Sequence, residues 1–377
     1  MGDTIRVTLL AVDSGEKIIE VRRTASSPCD PGDIPQITET MRRLLRGFGK
    51  LVRHRIIVSL DPALATTIHS SVILMRDQPK DPIDEADFDN RIAQGIWRLF
   101  DRERGKAASK MDVGDLDILM TDVKVKQVKL DGHRVVNPLG FKAKSVEIHY
   151  SMTFSPRLFV EALRKVVSPS QLLFMAEGGV MMADVLARLE EHRELLLLEF
   201  FPSSTHLVLV HGSATTWIER IAWGTTNFVT TLSDAFAVSA DVAEKIFNLY
   251  LLRQASPSVL RRIELLLKQE FSTFAEHLRE PVIRYNLSTL YLFAFARLPE
   301  FIFSSSTFRL ALRRRVRILP VTEELTRDRL GFSLAWNRAL KQEFIFPELA
   351  AFLEFYFLPH DDKMNKIAQR HARWLIR

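Results

Sequence analysis

Short apolar runs bounded by polar turns alternate along this chain with stretches whose apolar residues recur every three or four positions, the pattern of strands interleaved with amphipathic helices. Residues 195–226, LLLLEFFPSSTHLVLVHGSATTWIERIAWGTT, concentrate it. Residues 195–198 form a continuous apolar run, as in a strand buried on both faces, and residues 206–210 repeat it after the turn Pro202-Ser203-Ser204. Gly212-Ser213 makes a second turn, and small residues lead into a helix over 227–236. In nucleotide-binding folds the first such turn carries an acid for the metal and glycines that let N–H groups approach phosphate. Here the acid is Glu199, and no glycine follows it.

The remaining elements follow the same logic. Residues 5–12 and 17–23 read as a hairpin about Asp13-Ser14-Gly15, followed by a proline-rich loop. A helix over 37–52 puts Met41, Leu44, Leu45, Phe48 and Val52 on one face and Arg42, Arg43, Arg46, Lys50 and Arg53 elsewhere. Strands are expected at 55–60 and 68–75, a helix at 87–100, a solvated charged loop at 101–110, and strands at 116–130 and 145–151. A helix from Arg157, a strand over 172–175 and a helix over 179–191 lead to the central stretch. Beyond it come helices at 240–252 and 259–278, a strand at 287–295, a helix at 301–313, a short strand at 315–319 and an apolar helix at 346–357. Residues 6–24 echo residues 206–226 in layout, so either two similar halves or two unrelated hairpins account for them.

Composition narrows the class. The 377 residues, 47% apolar, can fill more than one core, while 15 glycines, well below the usual ~7%, disfavour several glycine-rich loops. The net charge is +6. Cys29 is the single cysteine, which excludes an intramolecular disulfide and a cysteine-built zinc site; in a proline-rich loop with no base near it in sequence, it is expected to be a spectator thiol. The N-terminus lacks the pattern of a secretory signal, and no apolar run reaches the ~18 residues of a spanning helix, so a cytoplasmic protein is expected, with membrane contact only peripheral at the inner face.

The order of elements resembles the actin-like ATPase superfamily, in particular the bacterial cell-division protein FtsA, with its pilus-assembly relative as second choice. The resemblance is carried by Asp131-Gly132-His133-Arg134-Val135-Val136-Asn137-Pro138-Leu139-Gly140-Phe141, similar to the Asn-Pro-hydrophobic-Gly turn of the family's inserted subdomain, and by Asp84-Glu85-Ala86-Asp87-Phe88, an acidic helix entry. Ser170-Gln171-Leu172-Leu173-Phe174 and Trp223-Gly224-Thr225-Thr226-Asn227-Phe228 resemble the segments flanking the second phosphate loop. The implied class is α/β with an actin-like ATPase fold: two RNase H-like halves and a small α+β, SHS2-like insert in the first. The implied boundaries are 1–60 and 151–193 for the first half, 61–150 for the insert, 194–233 and 281–357 for the second half, 234–280 for a helical distal subdomain and 358–377 for a C-terminal amphipathic helix.

The departures from that family shape the functional expectation. The chain starts at Met1-Gly2-Asp3-Thr4, where the family's first phosphate loop would finish. Glu199-Phe200-Phe201-Pro202-Ser203-Ser204-Thr205 stands in place of Asp-x-Gly-Gly-Gly-Thr, and Phe293-Ala294-Phe295-Ala296 in place of a Gly-Gly turn. Bulky side chains block close backbone approach, and Pro202 has no N–H to offer. A pseudo-ATPase is therefore expected, without cofactor, working as an FtsA-like scaffold and membrane tether in division. The alternatives are an active ATPase binding ATP and Mg, with Glu199 as its weak catalytic candidate and Thr4, Ser203, Ser204, Thr205 and Gly224 as degenerate loop positions, or an adaptor of type IV pilus assembly.

The partners implied are division or cytoskeletal proteins, a tubulin-like filament protein among them, and self-association. The helical 234–278 region, which lacks the family's strands, argues against the tubulin-like partner. His206 and His211 face opposite sides of a strand, so no metal pair is expected, and the cluster Arg309, Arg313, Arg314, Arg315 and Arg317 lacks the aromatics of a nucleic-acid surface. On a C-terminal helix, Met364, Ile367, His371, Trp374 and Leu375 share one side, ringed by Lys363, Lys366, Arg370, Arg373 and Arg377. That layout suits a helix lying on an acidic membrane or one docked on the protein body.

Overall fold

The computed structural model describes residues 4–13, 15–30, 32–49, 51, 54–189, 194–211, 214–294, 297–336, 347–357 and 363–372. The first elements are β1 (Thr4–Asp13), β2 (Ile18–Pro28), α1 (Ile34–Gly47), β3 (Ile56–Leu60), β4 (Thr66–Met75), α2 (Glu85–Lys110), β5 (Ile118–Leu130), β6 (His133–Val135), β7 (Ser145–Pro156), α3 (Arg157–Arg164), β8 (Leu172–Glu177) and α4 (Gly178–Leu189). The central stretch is β9 (Glu194–Phe200), β10 (Thr205–His211) and β11 (Ala214–Ile221). Then follow α5 (Thr225–Phe236), α6 (Ala240–Leu251), α7 (Pro257–His277), α8 (Arg279–Arg284), β12 (Thr289–Ala294), α9 (Ser305–Leu312), β13 (Arg317–Pro320), α10 (Glu323–Leu330), β14 (Ser333–Trp336), α11 (Pro347–Phe357) and α12 (Lys363–Ala372).

Two compact units result, one of residues 1–28 and 186–347, the other of residues 29–185 and 348–377. In the first, a five-stranded sheet has the order β11-β10-β9-β12-β13. β9, β10 and β11 form an antiparallel meander, and β12 and β13 add in parallel on the other edge of β9. β9 is thus the central strand, which is why its leucines form an unbroken apolar run. Aromatic rings fuse the sheet to α5, α6 and α7: Phe200 of β9 meets Phe274 of α7 at 5.9 Å between centroids, Trp223 stacks on Phe274 at 4.1 Å and meets Phe228 of α5 at 5.1 Å, and Phe228 meets Phe247 of α6 at 5.7 Å. β14 pairs in parallel with β2, which draws the N-terminal hairpin into this unit. The sequence boundaries had assigned that hairpin to the other half.

In the second unit, β4-β7-β5-β6 form an antiparallel sheet covered by α2, and β3 and β8 form a separate parallel pair. Asp84 caps α2 by accepting the Asp87 N–H at 2.7 Å, the acidic helix entry expected. The turn at its tip is built as its residues require: Asp131 Oδ1 accepts the N–H groups of Lys144 and Ser145, Gly132 and Gly140 take positive φ, and Gly140 N–H donates to Ile83 O at 2.8 Å.

One sequence expectation fails here. Residues 101–110 are the last turns of α2 and not a loop, because Glu103 is buried beneath Arg102, Lys106 and Ser70 and Ala107 and Ala108 join the core. Charges satisfied by one another on a helix look like a solvated loop in sequence.

Candidate functional site

The turn between β9 and β10 is closed on itself. Phe201 N–H donates to Ser204 O at 2.8 Å, and the Pro202 carbonyl accepts both the N–H and the hydroxyl of Thr226 at 2.9 Å. A backbone carbonyl therefore stands at the N-terminal turn of α5, where a helix would otherwise present N–H groups to an anion. Thr205 donates its hydroxyl to Trp223 O at 2.8 Å, and Ser204 Oγ lies 3.3 Å from His206 Nε2. Phe200 is fully buried against Trp223 and Phe274, and Phe201 is buried over the His206 ring, 4.8 Å between centroids. Gly224 has a single purpose here: a Cβ on it would sit 2.6 Å from the Pro202 carbonyl carbon and closer still to two carbonyl oxygens.

Five of the six positions singled out for nucleotide contact meet at this turn. Glu199 is buried at the end of β9, directly across from His206 in the β9–β10 register, with 4.0 Å between Oε2 and Nδ1. Burial, and then the nearby Arg220, lower the His206 pKa to about 4, so its ring is neutral at ordinary pH. Ser203 is exposed, while Ser204, Thr205 and Gly224 serve the turn. Thr4 lies elsewhere, in β1 opposite Pro28. Phe293 is buried on β12 beside Glu199; Phe295 and Ala296 lie outside the described residues, as do Gly212 and Ser213. The turn is a poor fit for a phosphate group: the Phe201 N–H, the Thr205 hydroxyl and the Thr226 N–H and hydroxyl are used internally, Pro202 has no N–H, and the rings of Phe200 and Phe201 are buried against it.

The second unit holds a constellation that sequence reading missed. Asp122, Lys124 and Lys126 alternate along β5 and so share one face. Lys124 forms a buried ion pair with Glu354 of α11 and lies 3.3 Å from Asp122, while Lys126 pairs with buried Asp184 of α4. Burial opposes the Lys124 charge, yet Glu354, Asp122 and Asp184 outweigh it and raise its pKa. Among the described residues no group of three or more potential ligands could hold a metal.

Glu177, at the junction of β8 and α4, is a further buried acid. Thr67 N–H donates to its Oε2 at 2.8 Å, and burial pushes its pKa up to about 7 despite that bond and Lys110. The signal was available: a lone carboxylate followed by Gly178-Gly179 within an otherwise apolar run. Between its ordinary value of 4.5 and about 7 the folded state keeps a proton that the unfolded state has lost, so stability falls as pH rises through that window. Glu177→Gln should therefore gain stability over the parent by up to about 3 kcal/mol as pH goes from 4.5 to 8. Urea denaturation at several pH values reads this directly, and parallel curves for the two proteins would refute it.

The C-terminal helix is docked. Among its described residues, Ala368 and Ala372 are buried, Met364 and Ile367 pack against the core under α2, and Asn365 Oδ1 accepts the Val125 N–H of β5 at 2.7 Å. Lys363 pairs with Glu85, and Arg370 and His371 both reach Asp89. Of the two arrangements the sequence left open, docking on the body is the one found for residues 363–372. Arg373, Trp374, Leu375 and Arg377 lie outside the described residues. No described helix is long and apolar enough to cross a membrane.

No protein-family model matches the sequence, and no curated protein does. Solved structures do. The PilM-PilN type IV pilus biogenesis complex is similar over 97% of this chain and 96% of that chain, at 15% identity and a TM-score of 0.55. A Bacteroides thetaiotaomicron protein with an actin-like ATPase fold matches 92% of this chain and 90% of its own at 6% identity and a TM-score of 0.38. EutJ, the ethanolamine utilization protein of Carboxydothermus hydrogenoformans, matches 44% and 57% at 16% identity and a TM-score of 0.33. The chain has the actin-like ATPase fold.

Proposed function

We propose that this chain is an actin-fold scaffold that holds assembly partners together without hydrolysing ATP, in the manner of an adaptor of type IV pilus assembly. The observation that carries this reading is the closed turn at residues 199–205, where the Phe201 N–H and the Thr205 hydroxyl donate within the protein and Thr226 occupies the Pro202 carbonyl. A scaffold needs the two-unit architecture and not the phosphate loops. The full-length likeness to PilM, seen in complex with PilN, supports a protein partner over a small-molecule substrate. An FtsA-like division tether is the second reading, favoured by the Asp131–Phe141 turn, although α6 and α7 occupy the region where that family holds its tubulin-like partner.

Isothermal titration with ATP and Mg tests the first half of the proposal: no saturable heat is expected, and tight Mg-dependent binding would overturn it. Co-purification tests the second. Recovery of a PilN-type assembly protein is the expected result, and recovery of a tubulin-like filament protein in its place would move the assignment to division.

A further inference from the structure

We infer that the end of the second unit formed by α1 and α3 is a docking surface for an anionic membrane. This goes beyond the scaffold reading and stands on different residues. Between Glu39 and Asp61 the chain carries Arg42, Arg43, Arg46, Lys50, Arg53 and Arg55 and no acidic residue, a local excess equal to the formal net charge of +6 of the whole protein. The rest of the chain sums to zero formal charge, with its own basic runs at 309–317 and 363–377 offset by acids elsewhere.

The fold brings a second group of cations to the same end. Gln171 Nε2 donates to Leu51 O at 2.6 Å, Arg55 Nη1 donates to Ser170 O at 3.2 Å and Ile56 N–H donates to Gln171 O at 2.8 Å. These bonds set the chain leaving α3 beside the chain leaving α1, so the exposed Arg164 and Lys165 join the exposed Arg43 and Arg46. A helix C-terminus is served by a cation in its last turn; here two such ends pool several. The acids of α1 and α3 themselves are Glu39, which Arg42 neutralises, and the exposed Glu161.

Two further features favour a lipid surface over an acidic polypeptide. Leu44, Leu45 and Phe48 are only half-buried at this end, placing apolar side chains among the arginines as an interfacial helix does. A Cβ at Gly47 or Gly49 would meet nothing within 4 Å, so the helix terminus faces open space and can lie against a plane. The C-terminal helix, by contrast, spends Met364, Ile367 and Ala368 on the insert.

The test is flotation of the full chain with vesicles of phosphatidylcholine containing about a third phosphatidylglycerol, at low and physiological salt. Binding is expected, weakening as salt rises. Arg46→Ala/Lys165→Ala, at two exposed positions and with a thermal melt run alongside to confirm folding, should lower partitioning roughly tenfold to thirtyfold, since each surface cation contributes about fivefold. A chain cut after residue 362 that still folds should keep its lipid binding. Equal flotation of parent and double variant, absence of flotation at low salt, or binding of polyglutamate without binding of vesicles would each overturn the inference.

Discussion

Lys124→Met is expected to destabilise the second unit by roughly 3–5 kcal/mol, the scale for breaking a buried ion pair by removing one partner. Lys124 is buried between Glu354 and Asp122, with its Nζ also 5.3 Å from the Phe174 ring centroid. The variant leaves Glu354, which has no exposed surface, without its cation. Glu354 sits on α11 and Lys124 on β5, so the pair ties the C-terminal segment to the inserted sheet. Lys124→Met/Glu354→Leu should recover only part of the loss, because it removes the Lys124–Glu354 pair from both sides but leaves buried Asp122 without the cation 3.3 Å away. A double-mutant cycle by urea denaturation measures it. A single variant within 1 kcal/mol of the parent would mean that water reaches the pair.

Gly224→Ala should cost about 3 kcal/mol or more, at the upper end of what overpacking a core does. The added methyl would press on the Phe201 and Pro202 carbonyls, which are backbone and cannot swing aside as a side chain would. Those carbonyls hold the closed turn, so relief requires the turn to leave α5. Gly105→Ala is the matched control. It lies in α2 with nothing within 4 Å of the new atom, and replacing a mid-helix glycine there should add about 0.5–1 kcal/mol. Thermal melts of the three proteins decide it: equal midpoints for parent and Gly224→Ala would show that the turn is not wedged shut.

Much of the fold was legible because its signals are local. The hydrophobic period marked nearly every strand and helix of the central sheet, and the acid at position 84 and the glycines at 132 and 140 marked a cap and a turn whose backbone demands those residue types. Elements without such a signal were lost. α10 is mostly charged, and β14 is four residues long and becomes a strand only by pairing with β2. Residues 101–110 misread as solvent-facing because sequence does not show that Glu103 is surrounded by its partners.

The functional turn divides the same way. That Phe200, Phe201 and Pro202 suit phosphate poorly follows from the residues themselves, since a ring occupies volume and proline lacks an N–H wherever it stands. That the turn is closed by the Pro202 carbonyl on α5, with Gly224 as the only residue type that fits beneath it, depends on two segments more than 20 positions apart meeting. The charges on β5 make the point more sharply. Asp122, Lys124 and Lys126 read as an ordinary polar face, and only the packing of α4 and α11 over that face turns it into a buried network. Chain order sets period, caps and steric bulk through neighbours in sequence; burial, ion pairing and the pKa of Glu177 arise from neighbours in space, and those come from the tertiary structure.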